Sequence, residues 1–176
     1  TTLLRIIAGL YKKTKGIVKI DGEVAAFLQI GIGMERDLSA LENIFLFGAI
    51  MGIPRKELNK KLDDIVEFAE IKGFLHCPVR DFSSGMIQRL AFSIVRYVRA
   101  DILLLDEMLI SSDANFKNKC YVSPGEYLNT FKTIILTSHE MDTIKKLCNK
   151  ILLLDKGRQI AFGSKEEVLN TYIGKD

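Results

Sequence analysis

The sequence predicts an α/β fold, a parallel sheet whose strands are joined by crossover helices. Three observations predict it. Ile102-Leu103-Leu104-Leu105, Thr133-Ile134-Ile135-Leu136-Thr137 and Ile151-Leu152-Leu153-Leu154 are short and almost wholly aliphatic, as strands covered on both faces are. Helical periodicity fills the stretches between them, and parallel neighbours need such crossovers. The chain of 176 residues, 48% of them hydrophobic, is long and apolar enough to bury a core. Sheets of this kind bind ligands at the carboxyl ends of their strands, so Asp106, Ser138 and Asp155, which close the three runs, mark the edge to inspect.

Composition removes several classes of function. A charged fraction of 27% beside that hydrophobic content argues against disorder, collagen-like repeats and coiled coil. The formal net charge of +3 is too mild to announce a nucleic-acid binder, and no nucleic-acid partner is expected. The three cysteines, Cys77, Cys120 and Cys148, form no C-x-x-C pair, so neither a disulfide framework nor a zinc knuckle is suggested and a reducing, cytosolic setting fits. The longest strongly apolar stretch, Ile44 to Ile53, is about half of the roughly 20 residues that a membrane-spanning helix needs.

Along the chain, the first element is a helix. Leu3, Ile6, Ile7 and Leu10 have the spacing of an amphipathic helix already under way at residue 1, with no initiator methionine, so the N-terminus is expected to be a cut inside a domain. Gly16 to Ile20 predicts a strand, Asp21-Gly22 a tight turn and Val24 to Leu28 a second strand. Gly31-Ile32-Gly33 has the start of a dinucleotide fingerprint, but Arg36 occupies the third glycine position. From Ser39 to Val98 the pattern is helical. Ser39 with Glu42 forms a capping box. Pro54 suits a first turn ahead of Leu58, Leu62, Ile65 and Ala69, and Ile87, Leu90, Ala91, Ile94, Val95 and Val98 make a third apolar face.

Asp106-Glu107 delivers two carboxylates to the carboxyl edge of the sheet, and Ser138-His139 ends another strand. Adjacent strands lie about 4.8 Å apart, so acids and imidazole can share one cleft. That set fits metal-assisted phosphoryl transfer, with Asp106 holding hydrated magnesium, Glu107 orienting or deprotonating water and His139 sensing a terminal phosphate. Solvated acids at a strand end and a structural histidine are the plainer alternatives. Phe82-Ser83-Ser84-Gly85 precedes a helix and offers backbone N–H groups, hydroxyls and a glycine to an anion, or simply an N-cap. Gln29 is polar at the end of the strand Val24 to Leu28.

Together these residues resemble the ATP-binding subunit of ABC transporters, from Thr1 to about Tyr172. Phe82-Ser83-Ser84-Gly85-Met86-Ile87-Gln88-Arg89 is similar to the signature L-S-G-G-Q-x-Q-R, and Ile102 to Glu107 to Walker B with its catalytic glutamate. Ser112-Asp113-Ala114 stands at the D-loop, His139 at the switch histidine and Gln29 at the Q-loop glutamine. Thr1-Thr2-Leu3-Leu4 resembles the segment directly after the Walker A lysine, with Thr1 as the magnesium-ligating hydroxyl.

The resemblance implies a RecA-like P-loop NTPase fold with an inserted α-helical subdomain, its N-terminal strands and Walker A loop missing from this stretch. Residues 1–36 and 100–176 would form the nucleotide-binding core, and 37–99 the helical subdomain with the signature. It implies that ATP and Mg2+ are bound by Thr1, Thr2, Gln29, Asp106, Ser83, Ser84, Gly85 and Asp113, with magnesium at Thr1, Gln29 and Asp106, and that Glu107 and His139 are catalytic. The stretch alone is expected to be a piece of an ATPase without turnover of its own.

Ser83-Ser84-Gly85-Met86, Leu105-Asp106-Glu107-Met108-Leu109, Leu41-Glu42-Asn43-Ile44 and the closing Gly163-Ser164 look most like exporters of polysaccharide, O-antigen or teichoic acid. That branch implies a homodimer closing on two ATP molecules, transmembrane permease partners and a peripheral place on the cytoplasmic face of the plasma membrane. Phe45, Phe47 and Ile50 are candidates for the permease groove, with at least two of the three expected in the core. Val122-Ser123-Pro124-Gly125 departs from the family, where a helix comes after the D-loop. The alternatives are a soluble non-transport ABC ATPase, which usually carries coiled-coil or arm insertions, and an inactive fragment acting as an interaction module.

Overall fold

The computed structural model describes residues 1–28, 33–106, 116 and 130–173. It divides into two compact units, Thr1–Thr137 and Ser138–Asp176. In the first, α1 (Thr2–Ile7) is followed by β1 (Val24–Phe27), then by the helices α2 (Ala40–Ile50), α3 (Arg55–Ala69) and α4 (Ser84–Val95), and by β2 (Ile102–Leu105) and β3 (Thr133–Leu136). The three strands form one parallel sheet in the order β1-β2-β3, with Phe27 opposite Leu105 and Leu105 opposite Leu136.

Alternation along the central strand divides the core. Leu104 packs with Leu28 and Leu4 of α1 on one face. Leu103 and Leu105, with Ala25 and Phe27, face the block made by Ile44 and Phe47 of α2, Leu58 and Ile65 of α3, and Leu90 and Ile94 of α4. Covering both faces is what an aliphatic parallel strand requires. Phe116 joins this unit through edge-to-face contacts with Phe68 and Phe92, at centroid distances of 5.5 and 6.1 Å.

Helix starts obey their local signals. Ser39 caps α2 in a complete capping box with Glu42, whose carboxyl is held below its ordinary pKa by the Ser39 hydroxyl and then by the Ser39 N–H. Pro54 stands one position earlier than expected, as the extended N-cap of α3. Phe47 is core, Phe45 is half-buried under the Arg55 guanidinium at 4.6 Å, and only Ile50 of the three groove candidates is exposed. No helix of the described residues is long and apolar enough to cross a membrane.

Two expectations need correction. The first helix forms, but Leu4 is its buried residue, whereas Leu3 and Leu10 are exposed. The strand expected over Gly16–Ile20 is absent. Ile17, Val18 and Ile20 are exposed there, and no strand among the described residues runs beside them to satisfy their backbone.

The second unit comprises α5 (Met141–Leu147), β4 (Lys150–Asp155), β5 (Arg158–Ser164) and α6 (Lys165–Ile173). Here too the structure corrects the sequence reading: the run at 151–154 belongs to an antiparallel hairpin, not to a parallel sheet covered on both faces. Lys156 and Gly157 both have positive φ, 46° and 78°, the two-residue hairpin geometry that matches strand twist. Ser164 and Glu167 cap α6 reciprocally.

At the edge of the first sheet remote from the strands' carboxyl ends, Asp101 ties the three strands together. Its Oδ2 accepts from the Glu23 N–H ahead of β1 at 2.9 Å, and its Oδ1 meets Lys132 Nζ ahead of β3 at 2.6 Å. The Lys132 hydrogen bond is the main cause that holds the Asp101 carboxyl below its ordinary pKa, and the Asp101 bond raises that of Lys132. This tie is therefore complete at neutral pH and is lost as pH falls through the depressed carboxyl value. Gly22 enters it at φ 119°, and a Cβ there would stand 2.7 Å from Asp101 Cβ. Gly22→Ala should therefore cost at least about 2 kcal/mol in denaturant unfolding. Gly73→Ala, with nothing within 4 Å, should stay within about 0.5 kcal/mol. Equal stability of the two variants would refute the tie.

Candidate functional site

Asp106 directly follows β2, and its N–H donates to Phe27 O at 3.3 Å while Thr137 N–H donates to Leu105 O at 3.0 Å. The carboxylate thus sits at the carboxyl edge between the ends of β1 and β3, 5% exposed, and Oδ1 accepts from the Thr137 hydroxyl at 2.5 Å. The packing of Leu4 against Leu28 and Leu104 aims the start of α1 at the same edge, and the Thr1 backbone nitrogen lies 4.0 Å from Asp106 Oδ1. Thr1 is the N-cap of α1, yet its hydroxyl makes no capping bond. The buried Asp106 carboxyl and Thr1, whose hydroxyl makes no capping bond, are hard oxygen donors of the kind that suit Mg2+. Among the described residues no cluster of three His, Cys, Asp or Glu could hold a metal alone, so remaining ligands would be water and phosphate oxygens. Thr2, the first residue of α1, is exposed at the same end.

The second group lies on the helical block. Ser83 is the N-cap of α4, and its hydroxyl accepts from Met86 N–H at 3.2 Å. The plain reading of Ser83 as a helix cap therefore holds. Ser84 and Gly85 come next in the first turn, where among the described residues their N–H groups have no protein acceptor. A Cβ built on Gly85 meets only Ser83 Oγ, at 3.9 Å, so the space over this turn is open. Unsatisfied amides at the positive end of a 12-residue helix suit an anion. Arg89 Nε bonds Ala69 O at 3.2 Å and ties α4 to the end of α3.

His139, three residues beyond β3, belongs to the second unit and is exposed on a bend where the Ser138 hydroxyl accepts from Glu140 N–H at 3.0 Å. Gln29, Glu107 and Asp113, with Cys120 and Val122–Gly125, lie outside the described residues. Thr1 and Asp106, expected in one site, do lie side by side, but sequence reasoning missed Thr137. A hydroxyl at the close of an apolar run was the available signal.

The family model described as ABC transporter matches residues 1–109. The chain belongs to the ABC transporter family. It is 36% identical over 98% of its length to the O-antigen export system ATP-binding protein RfbB of Klebsiella pneumoniae, spanning 70% of that protein. It is 40% identical over the same share to the teichoic acids export ATP-binding protein TagH of Lactococcus lactis, of which it spans 37%. These relatives match the polysaccharide-export branch of ABC transporters. A solved ATP-binding subunit of an ABC transporter superposes with TM-score 0.72 at 18% identity over 85% of this chain and 62% of its own. An archaeal ribosome recycling factor, solved with a ribosomal stalk protein, does so with TM-score 0.75 at 20% identity over 99% and 34%. At such identities the two structures show the fold alone, which is that of an ABC ATPase domain.

The Thr137 bond to a buried carboxylate carries a measurable cost. Thr137→Val keeps shape and removes the donor, and should destabilise the nucleotide-free subunit by about 1.5–3 kcal/mol. Urea unfolding measures it, and a change under about 0.5 kcal/mol would remove Thr137 from the account.

Proposed function

We propose that this ABC transporter chain is the nucleotide-hydrolysing part of a subunit that drives export of a polysaccharide-type substrate. The observation that carries the reading is the meeting of Thr1 with the buried Asp106 at the sheet's carboxyl edge, in a chain whose relatives are export ATP-binding proteins. Thr1, Thr2, Gln29 and Asp106 are assigned to the Mg·ATP held by their own protomer. Bound Mg2+ would offset charge on the β- and γ-phosphates. Glu107 takes the proton from the attacking water, and His139 senses the terminal phosphate.

Ser83, Ser84, Gly85 and Asp113 are assigned to the nucleotide of a second copy, so that two chains close on two ATP molecules. The open space over Gly85 supports this, because a phosphate can approach amides that its own protomer does not cover. Residues 1–36 and 100–176 serve as the nucleotide-binding core and 37–99 as the helical subdomain. The partner in transport is a transmembrane permease, which holds the subunit peripherally at the cytoplasmic membrane face. Exposed Leu46 and Ile50 on α2 and Phe74 beyond α3 offer it apolar contact. The export relatives, at 36–40% identity, favour this over a soluble ATPase acting in translation.

Glu107→Gln in the full-length subunit removes the base but keeps size and polarity. Steady-state turnover should fall by about two to four decades while ATP binding persists and an ATP-bound dimer accumulates. Near-normal turnover would remove Glu107 from the mechanism. Gly85→Trp fills the open space above α4 without touching the core, so it should abolish ATP-driven dimerisation, seen by light scattering, and leave monomer ATP affinity within about twofold. Loss of both would place Gly85 at its own protomer's nucleotide.

A further inference from the structure

The main chain of Asp106 is placed from two sides. Its N–H donates to Phe27 O at 3.3 Å, and the carbonyl just before it, Leu105 O, accepts from Thr137 N–H at 3.0 Å. Those bonds, with the burial of Leu103, Leu104 and Leu105, fix where the Asp106 Cα stands. They do not fix the carboxyl group. The last torsion of an aspartate is broad and roughly twofold, so a fixed Cα still lets both oxygens swing.

Thr137 removes that freedom. From the position directly after β3, its hydroxyl donates to Asp106 Oδ1 at 2.5 Å. Thr137 therefore holds the Leu105–Asp106 step at two points, by its N–H on the backbone and by its hydroxyl on the side chain. Holding the strands together needs only the first of these. Threonine suits the second, because branching at Cβ leaves few χ1 rotamers and the hydroxyl is offered from a settled position. Asp106 is buried, so little water competes for the bond.

We propose that Thr137 is a positioning residue that sets the cation preference of this site, favouring Mg2+ over Ca2+. The proposal rests on the assignment of Asp106 to Mg·ATP above. Mg2+ demands near-ideal octahedral oxygen geometry at about 2.0–2.1 Å, whereas Ca2+ accepts about six to eight oxygens at about 2.3–2.6 Å and takes carboxylates by one oxygen or by both. A carboxyl held at one oxygen presents one orientation, which suits the stricter ion. The hydroxyl also occupies an oxygen that two-point binding of Ca2+ would use. Partners that orient a liganding group in this way are worth about 10- to 100-fold in metal affinity.

The full-length subunit tests this through binding, with a non-hydrolysable ATP analogue titrated by calorimetry in Mg2+, in Ca2+ and in EDTA. The wild type should bind the analogue more tightly in Mg2+ than in Ca2+. Thr137→Val removes the hydroxyl, and the affinity in Mg2+ should fall at least about fivefold while the affinities in Ca2+ and in EDTA stay within about twofold. Thr137→Ser keeps the donor and should hold the affinity in Mg2+ within about twofold of the wild type. A role in stability alone would lower the melting temperature of Thr137→Val and leave its Mg2+-to-Ca2+ ratio as it was, which overturns the proposal. Equal losses in Thr137→Ser and Thr137→Val also overturn it, because they assign the effect to packing. If Thr137→Val does not fold, Thr137→Ala carries the same expectation, and an unaltered ratio there overturns the proposal. A wild type that binds equally in Mg2+ and Ca2+, but more weakly in EDTA, overturns it while the functional reading stands. No gain from Mg2+ over EDTA in the wild type overturns the functional reading, and the proposal with it.

Discussion

Strand β2 is the member on which the rest of the first unit depends. Leu103 and Leu104 are fully buried and Leu105 nearly so, but on opposite faces they meet different partners, α1 on one side and the helical block on the other. Each such side chain stabilises by about 1.5–3 kcal/mol when taken out of water. A register slip of one residue would exchange the faces and expose that surface, so the register is firmly set. Setting it also sets the chemistry, because Asp106 is the next residue and the helix that packs on Leu104 begins with Thr1.

The two aspartates that bracket this strand have opposite roles for physical reasons. Asp101 is tied to Lys132 and to the backbone ahead of β1, which neutralises it and makes it a fastener. Asp106 is buried at the other end of the strand, where its Oδ1 accepts from the hydroxyl of Thr137. A carboxyl group at the carboxyl edge is a hard oxygen donor of the kind a magnesium ion takes. The helical block then supplies the opposite polarity, since the start of α4 offers amide groups rather than carboxylates.

Much of this was legible in the sequence because the signals were local. The aliphatic runs gave β2 and β3 almost residue for residue, Ser39 with Glu42 located the start of α2, and Ser83 the start of α4. What escaped depended on partners. Gly16 to Ile20 has strand composition, but an extended segment becomes a strand only when a neighbour takes its hydrogen bonds. Apolar spacing in Thr1–Leu10 predicted the helix but chose the wrong face, since the contacts of Leu4 with Leu28 and Leu104 come from the tertiary fold. The hairpin of β4 and β5 was signalled by Lys156-Gly157 and overlooked because Leu152 and Leu154 suggested burial on both sides. Thr137 is a single polar residue whose importance lies in what it bonds across 31 residues, which no short motif displays.

In the proposed pair, one chain supplies the acidic edge and a second supplies the signature turn for the same nucleotide. The most direct measurement is a structure of the full-length subunit, carrying Glu107→Gln, with Mg·ATP bound. The account predicts a closed pair in which the γ-phosphate near Thr1 and Asp106 of one protomer lies within hydrogen-bond distance of Ser84 Oγ and Gly85 N of its partner. A γ-phosphate bonded to Ser84 and Gly85 of its own protomer, or a closed pair with α4 remote from both nucleotides, would contradict it.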